Sequence, residues 1–413
     1  MDPTLLWLGR TLPLPLDSGD RVYSAQLIGA VARAGARVSC LGLDNPDEPA
    51  GSLDVLEQAV DWQLVPGAPR SRLLSLWSGL PMVSARFATR PYRATLARKL
   101  AHHAYDGIVF DHYSMRWALP MVQRFARNTP LCIHVAHNSE TEVTHEIARN
   151  FSGDPIRKLL LARNAAKTRR AEQMFAQSCK LLVTLTEHDS AAFSRLNPDL
   201  QTIVLPPGYS GRRQRARELT ANVPRRVIIV GSFTWIAKQM NLERFLETAA
   251  SAFLRHRIEM HVVGCVPEPL EQRLRARFPW VTFRGFVDDL NREFQAARLA
   301  LVPEETGGGF KLKTLDYIFG RVPVAAIASA LNGIPGRLQA QFVLANDLAT
   351  LVSRIVQVID DVGRLNALQN GAFALAEGMF DWDANGRRFG QAVEGFLRRA
   401  RSSGASSGRS ADT

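Results

Sequence analysis

The stretch 301–327, LVPEETGGGFKLKTLDYIFGRVPVAAI, concentrates residue types suited to phosphate chemistry. An apolar strand-like run leads into Gly307, Gly308 and Gly309. A helical pattern carrying Lys311, Lys313 and Asp316 follows, then Gly320 and a second apolar run. Glycines adopt φ > 0 and admit a ligand to the backbone with no Cβ in the way. A helix starting directly after such a loop aims its unpaired N–H groups back at it, and the two lysines add positive charge. The pattern reads as a cradle for a diphosphate, although the G-x-x-x-x-G-K-[ST] spacing of a P-loop is missing. The plain alternative is a flexible loop followed by a surface Lys313–Asp316 pair worth about 0.2–0.5 kcal/mol.

Other chemistry-bearing residues are fewer. By spacing alone, His137 in HVAHNSE reads as a turn or core histidine satisfied by backbone groups, and His102–His103 carry no assignment. His145–Glu146 lacks the second histidine of H-E-x-x-H. GASSG at 404–408 matches G-x-S-x-G by letter only, with no strand before it. Cys40, Cys132, Cys179 and Cys265 share no close spacing, so neither a zinc site nor a disulfide framework is indicated, and a reducing cytoplasm fits.

The elements that must position these residues alternate short β-rich runs with longer helical stretches, the pattern of parallel α/β sheets. Strands are expected at 5–9, 37–43, 107–111, 131–136 and 180–186, with a helix over 21–34. A polar, basic break, SGRRQRAR at 210–217, precedes a second series: strands at 226–230, 260–264, 281–285, 299–303 and 323–327, and a helix over 241–253. The expected organisation is an N-terminal Rossmann-like domain over 1–212 and a second over 213–385. A closing helix over 386–400 and a disordered tail over 401–413 complete it. At 413 residues, 46% apolar and 22% charged, the chain is long enough for two cores. No apolar run is long enough to span a membrane, and MDPTLLWLGR lacks the basic start of a secretory signal.

The formal net charge of +12 is unevenly placed. No acidic residue lies between Asp61 and Asp106. Arg70, Arg72, Arg86, Arg90, Arg93, Arg98 and Lys99 lie there among Leu73, Leu74, Trp77 and Phe87. RKLLLARNAAKTRR at 157–170 is a second acid-free run. Cations interleaved with large apolar groups suit an anionic membrane surface, approached through 70–99 and 157–170. A solvated basic face over an ordinary core is the alternative. No helix-turn-helix spacing, zinc knuckle or RNP-like pair points to nucleic acid.

The run from Pro303 through Gly307–Gly309, Lys313, Leu315–Asp316–Tyr317 and Gly320 to Pro323–Val324 resembles the donor-site segment of family-four glycosyltransferases. LPLPLDSGDRVYSAQLIGAVARAGARVSCLGL, HVAHNSE, LLVTLTEHD, VLPPGYS, VGSFTWIAKQMNLERFLE, HVVG and FRGFVDDL resemble further pieces of that family, in its order. The resemblance implies an α/β protein of GT-B fold, with two Rossmann-like parallel-sheet domains facing across a cleft. It also implies a retaining hexosyltransferase-like enzyme that uses a nucleotide-diphosphate sugar as substrate, with no metal and no separate cofactor.

Residue by residue, the resemblance places His137, Lys238 and Lys313 at the reacting centre, the lysines neutralising the leaving diphosphate. Asp316 stands where the family has the glutamate that binds ribose. Gly308, Gly309 and Phe310 offer N–H groups, Phe286 and Val287 contact the base, and Gly19 lets the acceptor-side loop approach. Ser232, Trp235, Glu304 and Lys311 complete the expected donor site. The chain departs from the family at position 308, where glycine replaces a glutamate; Glu304 and Glu305 lie just upstream. The acceptor implied is a glycan or lipid-linked glycan in cell-surface or exopolysaccharide synthesis, reached from the cytoplasm, peripheral to the inner face of the plasma membrane. A nucleotide-sugar epimerase and a non-catalytic nucleotide-binding regulator are the alternatives on the same fold.

Overall fold

A computed structural model describes residues 2–16, 18–44 and 52–407, with side chains up to position 402. The chain divides into two compact units. The first comprises the residues up to Gly208 together with those from Asp381 onward; the second runs from Tyr209 to Phe380.

The first unit holds seven strands: β1 (Thr4–Leu8), β2 (Arg37–Leu43), β3 (Asp61–Val65), β4 (Gly107–Asp111), β5 (Leu131–Ala136), β6 (Leu181–Thr184) and β7 (Gln201–Val204). They form one sheet in the order β3-β2-β1-β4-β5-β6-β7, every neighbouring pair parallel. Helices cover both faces of such sheets, so central strands read as unbroken apolar runs. Leu5, Leu6, Trp7 and Leu8 of β1 are accordingly all fully buried.

The second unit repeats the plan with six strands: β8 (Arg226–Val230), β9 (Glu259–Val263), β10 (Val281–Gly285), β11 (Leu299–Val302), β12 (Val324–Ile327) and β13 (Val343–Ala345). Their order is β10-β9-β8-β11-β12-β13, again parallel throughout. In both sheets the order reverses after the first strand, at β1/β4 and at β8/β11. Ligands gather at such a switch point, outside the carboxyl ends of the strands. At that end of the second sheet Gly264, with φ +113°, packs against Gly231. An added Cβ would stand 2.1 Å from the Gly231 carbonyl oxygen, so only glycine fits.

The helix expected at 386–400 runs over Trp382–Ser407 and belongs to the first unit, packed against the helix Gly19–Arg33. Trp7 and Phe389 rings meet at 5.7 Å, and Asn385 Nδ2 donates to the Pro206 carbonyl at 2.6 Å. Gly208 lies against Trp382, so the first unit ends there rather than at residue 212. No proline interrupts the last helix at 401–407; positions 408–413 of the expected tail lie outside the described residues. Among the described residues no helix is long and apolar enough to cross a membrane.

Candidate active site

In the second unit the loop 303–312 leaves the carboxyl end of β11, at the switch point beside β8. Asn241, buried in the helix Ile236–His256, clamps the loop. Its Nδ2 donates to the Thr306 carbonyl at 2.6 Å, and its Oδ1 accepts from the amides of Glu305 (3.1 Å) and Thr306 (3.0 Å). Arg244, one turn further along the helix, pairs with Glu305 at 3.1 Å. Gly307 (φ +110°) then passes the start of that helix. An added Cβ would lie 3.9 Å from the Trp235 ring and 3.8 Å from Ala237. Trp235 stands at the N-cap position, and no side chain caps the helix. The positive end of a 21-residue helix therefore lies beside the glycine loop.

Beyond Gly307 the amides of Gly308, Gly309 and Phe310 donate to nothing among the described residues. Gly309 and Phe310 are nonetheless buried. Backbone N–H groups of buried residues are nearly always paired, so three consecutive open donors mark a place for an acceptor from outside the chain. The helix Lys313–Phe319 contributes less than its sequence suggests. Thr314 and Leu315 amides are used by the Lys311 and Leu312 carbonyls, and Lys311 lies before the helix, in the loop.

Both lysine ammonium groups of the cradle are engaged within the chain. Lys313 Nζ pairs with buried Glu304, and Lys311 Nζ donates to the carbonyls of Gly307 and Gly308. Burial opposes charge on Glu304, but Lys313 and Lys311 outweigh it and hold the carboxyl below the usual range. Its Oε2 has no hydrogen-bond partner. Asp316 differs: burial alone pushes its pKa up to about 7, and among the described residues no donor or cation meets its carboxylate. Tyr317 beside it is buried; its hydroxyl accepts from the Val230 amide at 2.8 Å and bridges toward the Leu301 carbonyl, tying β8 to β11.

Around this loop stand other predicted residues. Ser232 follows β8 and shares a hydrogen bond with Thr234 at 3.3 Å; Lys238 lies half-buried in the first turn of the helix Ile236–His256. Phe286 and Val287 follow β10, where Gly285 (φ +65°) turns the chain and leaves the Phe286 ring 79% exposed. Gly231, Gly264 and Gly285 form a row at this end of the sheet, linked by Gly231 N–H to Val263 O (3.0 Å) and Gly264 N–H to Gly285 O (2.7 Å).

The first unit has its own cluster at the β1/β4 switch point. Arg10 follows β1, Asp111 ends β4, His112 follows it, and His137 follows β5. Gly19 begins the helix that carries Asp20 in its first turn. Arg10, Asp20, Asp111, His112 and His137 line one pocket. His137 Nε2 bonds Asp111 Oδ1 at 2.7 Å, and Asp111 Oδ2 accepts from Trp7 Nε1 at 2.9 Å. Burial opposes charge on the His137 ring, yet Asp111 and the more distant Asp20 raise its pKa above the ordinary histidine value. Arg10 pairs with Asp20. Burial lowers the pKa of His112, 3.6 Å from Glu140, and its φ of +74° is a strained backbone held at the site. Two carboxylates brace the turn after His137. Asp189 accepts from the Ser139 amide at 2.8 Å, and Glu172 from those of Glu140 (2.7 Å) and Thr141 (3.0 Å).

The structure thus brings Trp235, Glu304, Gly308, Gly309, Phe310, Lys311, Lys313 and Asp316 to one end of the second sheet, with Ser232, Lys238, Phe286 and Val287 on loops and a helix start of that end. Gly19 and His137 belong to the first unit's cluster. Sequence reasoning missed Asn241, whose signal is a polar residue between Ala237 and Phe245 on an apolar stripe. It also missed Asp111, the charged end of the apolar strand GIVFD.

Residues 224–361, most of the second unit, match the family described as glycosyl transferases group 1. No curated protein matches the chain by sequence. Among solved structures the chain is similar to Anabaena Alr3699/HepE, solved in complex with UDP and glucose, at 14% identity and a TM-score of 0.65, covering 95% of this chain and 99% of that one. It is similar to WaaG, a glycosyltransferase involved in lipopolysaccharide biosynthesis, at 19% identity and a TM-score of 0.65, covering 94% and 99%. TarM aligns with a TM-score of 0.68 at 8% identity, over 95% and 99%. The chain has the GT-B fold, and with the group 1 segment in its second unit it is a glycosyltransferase.

Proposed function

We propose that the chain transfers a sugar from a nucleotide-diphosphate sugar to a glycan or lipid-linked acceptor with retention of configuration, in cell-surface or exopolysaccharide synthesis. The observation that carries the reading is the run of open amides at Gly308, Gly309 and Phe310, beside an uncapped helix start. A diphosphate supplies the anionic oxygens such donors take up. As the bond from the anomeric carbon to the phosphate oxygen breaks, negative charge grows on the departing diphosphate, and preorganised amides with Lys238 and Lys313 stabilise it. Asp316 accepts from the ribose hydroxyls, and the exposed Phe286 ring and Val287 pack on the base. Asp111 holds His137 through Nε2, which leaves Nδ1 for a substrate hydroxyl.

On this reading the nucleotide sugar is a substrate and the reaction calls for no separate cofactor. The acid-free basic-apolar runs of the first unit support an acceptor at an anionic membrane surface, on the cytoplasmic side. UDP is the first nucleotide to try, because the Anabaena HepE structures hold UDP and UDP-glucose. In a thermal-unfolding screen against UDP, ADP and GDP, a ligand at 100 times its Kd adds about 2.7 kcal/mol of stability. One nucleotide should raise the transition selectively. No shift with any of them would remove the donor site, and consumption of the nucleotide sugar to an isomer without acceptor would make the enzyme an epimerase.

A further inference from the structure

The two basic-apolar runs are distant in sequence, yet the structure joins them through residues 82 and 91 positions apart. Lys167 Nζ donates to the Leu76 carbonyl at 2.9 Å, and Asn164 Oδ1 accepts from the Met82 amide at 2.8 Å. Within the first run, burial separates two kinds of residue. The helix Arg90–His102 turns Tyr92, Leu96 and Leu100 into the core, and the helix Met82–Phe87 buries Ala85 and Phe87. The short helix Arg72–Leu76 does the opposite: Leu73 is 73% exposed, Leu74 74%, and Trp77 just beyond it 82%.

The start of the long helix Pro155–Ser178 behaves in the same way, with Ile156 68% and Leu159 71% exposed. At about 100° per residue, Ile156, Leu159, Arg163 and Lys167 fall within a sector of roughly 80°. Lys167 is the residue bonded to Leu76, so that stripe faces the side on which Leu73, Leu74 and Trp77 stand. Arg70, Arg72, Arg157, Lys158 and Arg163 are exposed around these groups. No Asp or Glu occurs at 62–105 or 155–171 to neutralise them. The crowding of cations is felt locally: burial and Arg163 together lower the pKa of Lys167.

Resting on the membrane-proximal reading above, we propose that Leu73, Leu74, Trp77, Ile156 and Leu159, ringed by these arginines and lysines, form a docking face that inserts into the headgroup region of an anionic lipid bilayer. Large apolar side chains for the acyl boundary and cations for the lipid phosphates are what a shallow interfacial contact needs, and tryptophan favours that depth. The 84–99 part of the basic run takes no part in insertion, because its large apolar side chains, Phe87, Tyr92 and Leu96, are committed to the core.

The test is co-sedimentation of the full chain with vesicles of equimolar phosphatidylglycerol and phosphatidylcholine, against vesicles of phosphatidylcholine alone. The protein should pellet with the anionic vesicles and be released as salt rises from about 0.05 M to about 0.5 M, where screening shortens the reach of its charges. The variants L73S/L74S/W77S and I156S/L159S change only exposed side chains and should keep the wild-type unfolding temperature. Each should lose tenfold or more of its vesicle binding. Wild-type protein left in the supernatant, as expected of a face for an acidic protein or a second copy, would overturn the proposal. So would equal binding to neutral vesicles, or unchanged binding by both variants. These vesicles hold no glycan or nucleotide, so the outcome is independent of whether sugar transfer itself is observed.

Discussion

Asp316 is half-buried, no cation among the described residues stands beside it, and its proton is held up to about pH 7 by desolvation alone. Ribose hydroxyls would donate to the ionised form, so nucleotide binding is linked to loss of that proton. Affinity for UDP should rise as pH increases from 6 to 8, with up to about tenfold per unit below the pKa. Asp316→Asn should bind more weakly and lose this pH dependence; calorimetry at pH 6 and 8 on both proteins measures it, and an equally steep profile in the variant would place the titrating group elsewhere. Without nucleotide the sign reverses for stability. Between the unfolded value near 3.8 and the folded value near 7 the folded chain binds more protons, so stability falls as pH rises through that window. Asp316 and the glycines were readable because their type and order alone suggest an anion site. The engagement of Lys313 with Glu304 was not, since a separation of nine positions hides which groups a fold will bury together.

One element sets the shape of the donor loop, and it does so through a single side chain. Asn241 occupies a core-facing place on the helix Ile236–His256 and makes three hydrogen bonds to residues 305 and 306. Asn241→Ala would remove all three of these hydrogen bonds at once, a cost of about 2–3 kcal/mol. The expected result is a lower melting temperature for the second unit and a larger Kd for UDP, read by scanning calorimetry with and without nucleotide. An unaltered Kd would show that the loop holds its form without the clamp. At this scale the central strands β2, β4, β5 and β8 were legible to the residue, and so was the edge strand β10, whose Val281 and Phe283 are buried. The strands β3, β7 and β13 at sheet edges were not. Edges are only partly buried, so β3 mixes Asp61 and Gln63 with Trp62 and Leu64, and β13 has three residues.

Across the whole molecule each unit stands on its own core, so damage to one should leave the other's ligand response intact. Gly386 of the last helix meets Ala30 so closely that an added Cβ would stand 2.1 Å from the Ala30 carbonyl oxygen. Alanine is favoured over glycine in helices by about 1 kcal/mol, but forced overpacking costs about 1–3 kcal/mol. Gly386→Ala should therefore lower the melting transition of the first unit while UDP still raises that of the second; a single shifted transition would mean the units unfold together. The sequence showed a closing helix here but not its owner, because nothing in its amphipathic pattern states which sheet it will cover. That ownership has a consequence for synthesis. The second unit enters and leaves the chain at Tyr209 and Phe380, whose backbones are hydrogen-bonded at 2.8 Å, and the first unit lacks its last helix until residues beyond 381 are made. On the ribosome the inserted unit can complete its fold first, although it is encoded second. The unit translated earliest waits, with the Trp7 side of its sheet uncovered, for the final helix to emerge.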